Sequence, residues 1–192
     1  MPTPNPAAME FLLGRRSRPA KTLTGPAPDR AALEPILTAA ARTPDHGKLE
    51  PWRFIVIEGA GLTRLSEAAG ARGEALELDE GTAGKGRKQF ADSQLCVAVV
   101  ESPKDSAKIP AIEQTYSAGA VCLALLNAAL ASGWGANWLT GWIAEDRPFV
   151  EDMLGLAPHE RIAGFIHIGT ETSAPPDRPR PDLSAITTWV SE

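Results

Sequence analysis

Three arginines and a serine stand together at Arg15-Arg16-Ser17-Arg18. A guanidinium is a planar fork that can bond two oxygens of a phosphate at once, and a serine hydroxyl adds a further donor. A phosphate or similar anion is one reading of this tetrapeptide; a solvated basic turn is the other. A second polar stretch, Arg42-Thr43-Pro44-Asp45-His46-Gly47-Lys48-Leu49-Glu50-Pro51-Trp52, separates a helical pattern from the β-branched run Arg53–Ile57. Loops between buried elements are where a scaffold presents binding groups, and this one carries Arg42, His46 and Lys48. For His46 alone, a loop histidine without a role is an equal reading. His46, His159 and His167 lack the paired spacing of a zinc site, so no metal is expected. Gly81-Thr82-Ala83-Gly84-Lys85-Gly86 lacks the spacing and the preceding strand of a phosphate-binding loop, and Lys85–Lys88 reads as solvated surface. Gly133-Trp134-Gly135 follows a helix and lacks the third glycine of a dinucleotide fingerprint. No acid/base pair, nucleophile motif or metal cluster stands out.

The elements that would position these residues follow from hydrophobic periodicity. Ala7–Leu13 reads as a short helix closed by Gly14. Ala31–Arg42 is helical with Leu33, Ile36, Leu37, Ala40 and Ala41 inward, although Pro35 implies a late start or a distorted first turn. Gly61–Asp79 is a further helical pattern. Thr115–Ser132 carries no charge, and Ala120, Ala124 and Ala128 recur on one face beside Leu123, Leu126 and Leu130. Such a helix needs cover on nearly every side, from a core, a subunit interface or a membrane. Tyr116, Ser117, Asn127 and Ser132 interrupt the run and no basic cluster flanks it, so the membrane reading is the weakest. Its alanine ridge would let a helix or a flat ligand approach closely.

Strands are expected at Arg53–Ile57, Gln94–Glu101 and Arg161–Ile168, with a short strand and turn at Ala136–Gly141 and a helix at Glu145–Leu154. His167 alternates into its strand as a structural residue. The four prolines of Ser173–Asp182 predict an extended arm. It leads to Ile186-Thr187-Thr188-Trp189-Val190, which has strand propensity. That strand could join a partner subunit's sheet or pack on its own chain. Helices with a few irregularly spaced strands make the fold class α+β.

A chain of 192 residues suits one domain with a sizeable core. The net charge of −5 and a pI near 5.3 argue against a nucleic-acid partner. Cys96 and Cys122 both fall in apolar runs and read as buried thiols of a reduced protein. The stretch 1–6 reads as a disordered N-terminus without signal-peptide character, so the expected location is cytoplasmic.

With these motifs in order, the chain resembles the nitroreductase family. The likeness is carried by Arg15-Arg16-Ser17 after a helix, Arg42-Thr43-Pro44-Asp45-His46 with Pro51-Trp52 before a strand, Ser117-Ala118-Gly119-Ala120 in a long helix, and Gly133-Trp134-Gly135-Ala136-Asn137-Trp138 after it. The resemblance implies a single domain over 7–190 with a central, mostly antiparallel sheet flanked by helices, and an intertwined homodimer whose 173–190 arm and strand reach the partner. It implies FMN at the subunit interface and NADH or NADPH as co-substrate. A small flat electron acceptor, such as a nitroaromatic or quinone, would be reduced by a ping-pong route. Arg15, Arg16 and Ser17 would bind the FMN, with the basic groups on its phosphate and ribityl side. Arg42 and His46 would reach it from the other subunit, Trp138, Leu139 and Thr140 would line the flavin pocket, and Ala128–Gly133 would lie near the nicotinamide. Two positions depart from near relatives: Leu139 stands where an arginine is usual, and Glu50 where a glutamine is frequent. A non-catalytic FMN store or sensor is the alternative function, and a cofactor-free dimerisation module a third.

Overall fold

The computed structural model describes residues 3–191. Its centre is β3, Leu95–Glu101, in which every residue is buried. Successive side chains of a strand point to opposite faces, and here Leu95, Val97 and Val99 join one core while Cys96, Ala98 and Val100 join the other. β2 (Trp52–Glu58) pairs with one edge of β3 and β5 (Arg161–Glu171) with the other, both antiparallel. Along its far edge β5 holds β4 (Gly135–Leu139) and, beyond it, the two-residue β1 (Leu23–Thr24). The sheet order is β1-β5-β3-β2 with β4 also on β5, so the expected α+β architecture and antiparallel sheet are found.

Two helical layers cover this sheet. On one side lie α2 (Arg30–Ala40) and α5 (Ala111–Ala131), which bury Leu33, Ile36, Val121, Cys122, Leu125 and Leu126. On the other lie α3 (Ala60–Ala75), α4 (Glu80–Ala91) and α6 (Arg147–Leu154), packed around Phe90, Phe149 and Phe165. Asp29 accepts a hydrogen bond from Ala32 N–H and starts α2, which runs straight through Pro35 instead of starting after it. By length and composition α5 could cross a membrane, yet its inner face is the core of one layer. Its outer face leaves Ile112, Tyr116 and Leu123 exposed. α1, Pro6–Gly14, buries none of its residues. Its cap is Asn5, so order begins inside the stretch expected to be disordered; residues 1 and 2 lie outside the described residues.

Two expectations need correction. The glycine-rich stretch 81–86, for which the sequence suggested no helix, lies inside α4, after α3 has ended at Ala75, and Lys85, Arg87 and Lys88 stand exposed on it as expected. Glycine is a poor helix former, so contact must supply the reason for these. A Cβ on Gly86 would stand 2.7 Å from the Trp142 ring, and one on Gly73 would stand 2.8 Å from Ala83 Cβ. The glycines let α3, α4 and Trp142 approach at backbone distance. The second correction is at the C-terminus. Leu183–Ile186 form one helical turn, α7, capped by Asp182, and residues 187–191 pair with no strand of this chain. Strand propensity needs a sheet edge to act on, and Ile186, Trp189 and Val190 pair with none among the described residues, where they stand exposed.

Arg53 fixes β2 to the loop before β5 by donating to both oxygens of Glu160, at 2.8 and 2.7 Å. This fork holds the Glu160 carboxyl down to about 2, outweighing the burial that pushes it up. A depressed carboxylate stabilises the fold above its unfolded pKa, and that contribution disappears as the pH falls through the folded value.

Gly86→Val is expected to lower stability by about 1–3 kcal/mol in a urea titration, through overpacking against Trp142. Gly84→Ala, where an added Cβ meets nothing within 4 Å, is expected to raise it by about 0.5–1 kcal/mol. An Arg53→Met variant should be less stable at pH 7. It should also lose less further stability than the wild type when titrations are repeated between the ordinary glutamate range near 4.5 and pH 2.

Candidate functional site

The basic tetrapeptide does not wave in solvent. Arg15 caps α1, and Arg18 N–H donates to Ala136 O at 2.8 Å, while Asn137 Nδ2 of β4 donates back to Arg18 O at 2.7 Å. Arg18 also pairs with Glu171 of β5 at 3.1 Å. These ties hold the segment along the sheet edge. Within it, Arg15 Nη2 donates to Ser17 Oγ at 3.0 Å. The Nε atoms of Arg15 and Arg16 are both buried and have no hydrogen-bond partner among the described residues. Burial, and then the charges of Arg16, Arg180 and Arg18, push the Arg15 guanidinium below its ordinary range. Arg180, on the C-terminal arm, is anchored by donating to Leu13 O. A cavity of about 310 Å³ opens here between Arg15, Arg16, Arg18 and the end of α5 at Leu130, Gly133 and Trp134. Buried guanidinium N–H groups without acceptors are costly. An anion with several oxygens would satisfy them.

Two residues beyond Arg18 the chain enters a larger cleft. It holds about 370 Å³ and is bounded by Lys21, by Leu139, Thr140 and Gly141 after β4, and by Lys85, Lys88 and Gln89 of α4, with His167 among its lining. The walls are mostly apolar with basic groups along them, which suits a flat ring carrying polar edges. Trp138 does not line it. Strand alternation sends the Trp138 ring to the opposite face, where it covers Gly164 and donates to Ala163 O at 3.3 Å. Leu139 and Thr140 are therefore together and Trp138 is apart from them. In the sequence Lys85 and Lys88 read as solvated surface, and Gln89 was not singled out. Their spacing of three and four, continued by Asp92, marks one helix face and was the available signal.

Arg42 and His46 stand elsewhere. Arg42 follows the end of α2 and is exposed. His46 Nδ1 lies 2.7 Å from Glu113 Oε2, in the first turn of α5. Trp52 Nε1 donates to Ser117 Oγ at 3.1 Å, and Ser117 Oγ donates to Pro44 O at 3.0 Å, pinning this loop to the same end of α5. The arginine cavity is at the other end, by Leu130. At 1.5 Å of rise per residue, Glu113 and Leu130 are about 25 Å apart. Within one chain, Arg42 and His46 do not meet Arg15, Arg16, Ser17, Leu139 or Thr140. Glu50, with φ of 49°, is exposed and directs its N–H to Asp45 Oδ2.

Cys96 and Cys122 are buried free thiols, both pushed up by burial, Cys122 to about 12. His167, expected to be structural, is 1% exposed, and burial lowers it to about 4.

Comparison with known proteins matches this geometry to a family. The sequence pattern of the Nitroreductase family matches residues 12–170. The chain is 37% identical over 163 residues to YdjA of Escherichia coli (strain K12), which carries the name "Putative NAD(P)H nitroreductase", covering 85% of this chain and 87% of that one. The fold is similar to a nitroreductase-like family protein from Bacillus cereus, with a TM-score of 0.80 and 25% identity over 99% of this chain and 98% of that one. It is also similar to a Desulfovibrio desulfuricans protein solved in complex with FMN, with a TM-score of 0.75 and 21% identity over 98% and 99%. By sequence and by fold, the chain belongs to the nitroreductase family.

Proposed function

We propose that this protein is a cytoplasmic, FMN-dependent NAD(P)H oxidoreductase that reduces nitroaromatic, quinone or similar flat acceptors by a ping-pong route. The observation that carries the reading is the pair of buried, unpartnered Nε atoms on Arg15 and Arg16 in a cavity crowded with cations. A phosphate supplies the oxygens that this cage lacks, and the apolar cleft beginning at Lys21 offers room for a ring system. The name carried by the YdjA relative and the FMN held by the Desulfovibrio protein point the same way.

In this reading Arg15, Arg16 and Ser17 hold the phosphate and ribityl side, and Leu139 and Thr140 lie along the ring. FMN bound there would supply the hydride chemistry between NADH or NADPH and the acceptor. The residues of the chain bind, orient and exclude water; no side chain serves as proton-transfer catalyst. A single open cleft would serve nicotinamide and acceptor in turn, which is the ping-pong order.

The site is completed in trans. The 25 Å that separates Arg42 and His46 from the arginine cavity within a chain is closed when a second chain lies along α5 in the opposite sense. The exposed Ile112, Tyr116 and Leu123 of α5 and the unburied α1 are what such a partner would cover. One domain spans 7–190, and its 173–190 arm carries Ile186–Val190 toward the partner, where β2 has a free edge because among the described residues it pairs only with β3.

Visible absorption spectra of the purified protein test the reading. An oxidised-flavin spectrum that bleaches on adding NADH or NADPH without air is expected. A flavin that stays oxidised would favour the storage or sensor function, and no uptake of added FMN would sink both. Arg15→Ala and Arg42→Ala variants are each expected to lose FMN at least about tenfold, as for loss of a charge-assisted bond. Mixing the two variants under dissociating conditions and reassembling them should restore tight binding to about a quarter of the sites, since half the random dimers carry one intact site each. Sites built within one chain would recover nothing.

A further inference from the structure

His167 sits on β5 opposite Asn137 of β4 and Cys96 of β3, its ring 6.3 Å from that of Phe90. At this depth a strand ordinarily carries an aliphatic side chain, and a polar ring needs both nitrogens satisfied. One of them is. Nδ1 lies 2.9 Å from Ser93 Oγ, and that hydroxyl donates its single hydrogen to Leu95 O at 3.2 Å. Ser93 must then accept from His167, which places the imidazole proton on Nδ1 and leaves Nε2 with a bare lone pair. Burial keeps the ring neutral and so preserves that lone pair. Nε2 is buried without a partner among the described residues.

A second orphan lies on the same cleft. Gln89 Nε2, on α4, is likewise buried and unpartnered, and both residues line the cavity that Leu139 and Thr140 bound. The residues lining the cleft thus hold a fixed acceptor on the sheet and a donor on the helix, both closed to water, so a ligand that reaches them must displace a neighbouring side chain. A single planar group that satisfies both carries an N–H beside a C=O, and a cyclic imide has this pattern. In a flavin it is the N3–H flanked by the C2 and C4 carbonyls.

We propose that His167 and Gln89 form an imide-reading subsite, with His167 Nε2 accepting the flavin N3–H and the Gln89 amide donating to a neighbouring carbonyl. The inference rests on the reading that FMN occupies this cleft, and it adds the residues that select and orient the ring's pyrimidine edge. His167 is a binding residue in this role, and Ser93 positions it by fixing the tautomer. Ring recognition here does not depend on the phosphate cage.

The test uses the full chain freed of flavin and titrated with FMN and with 3-methyl-FMN, which lacks the N3–H. The wild type is expected to bind FMN about tenfold or more tightly than the methylated form, because a buried acceptor left unpaired discriminates strongly. In His167→Leu the ratio is expected to fall to within about twofold, a leucine having no lone pair to lose. In the wild type, the ¹⁵N resonance of His167 Nε2 should move when FMN is added and stay in place with 3-methyl-FMN; this measurement stands even where the variant fails to fold. Equal binding of the two flavins with an unmoved Nε2 resonance overturns the subsite and leaves the FMN reading intact. Tight binding of FMN with the resonance moved equally by both flavins also overturns it. Failure to bind either flavin overturns the FMN reading, and the subsite with it.

Discussion

The register of β5 is the constraint on which the candidate site depends. This strand carries β3 on one edge and both β4 and β1 on the other, so its alignment sets where Leu139, Arg18 and Lys21 come to lie. A shift of one residue would send every side chain to the opposite face: His167 would leave the cleft, and Phe165 would leave the core it shares with Phe90. Gly169 and Gly135 face each other where β1 joins, and a Cβ on Gly169 would stand 2.8 Å from Thr24 O. Close backbone approach at this corner brings the chain from Arg18 to Lys21 against the sheet.

α5 imposes the second constraint. Its inner face is committed to the core and its length fixes a separation that loops cannot shorten. The last turn of α5 has no basic residue of its own, and its carbonyl end carries the partial negative charge of the helix dipole. The arginines of the 15–18 segment lie beside that end, which offsets part of the cost of gathering them. An anion held there would be held by the guanidinium forks and the Ser17 hydroxyl, without help from the dipole, which at this end opposes it.

How far these features were legible depends on where their cause lies. The buried strands were readable because Leu95–Val100 and Ile162–Ile168 are apolar by necessity, and the end of α5 was readable from Gly133. The 15–18 cluster was visible as charge, although only the ties to Ala136, Asn137 and Glu171 separate an anchored cage from a solvated turn. α4 was not legible. Its glycines speak against a helix locally, and their reason is the Trp142 ring more than fifty residues away in sequence. The shared face of Lys85, Lys88 and Gln89 went unseen with it. Trp138, Leu139 and Thr140 were expected together from their adjacency in sequence, and period-two alternation turns the Trp138 ring to the other face from Leu139. The C-terminal residues show the converse, strand propensity at 186–190 that no pairing among the described residues uses.

The arginine cage links the fold to its ligand. Arg15, Arg16, Arg18 and Arg180 come from two ends of the chain, and among the described residues two carboxylates pair with them, Glu171 with Arg18 and Asp177 with Arg180. Their mutual repulsion is strongest in the folded state, where burial removes solvent screening. An anion that enters relieves repulsion and desolvation together and binds the native state alone, so its affinity adds to stability through mass action. Arg180 extends this linkage to the arm, because the cation that anchors the arm to Leu13 is one of those the anion would neutralise. Filling the cage therefore favours the arm's docked position, so that cofactor binding and the ordering of the C-terminal segment reinforce each other through one electrostatic cluster.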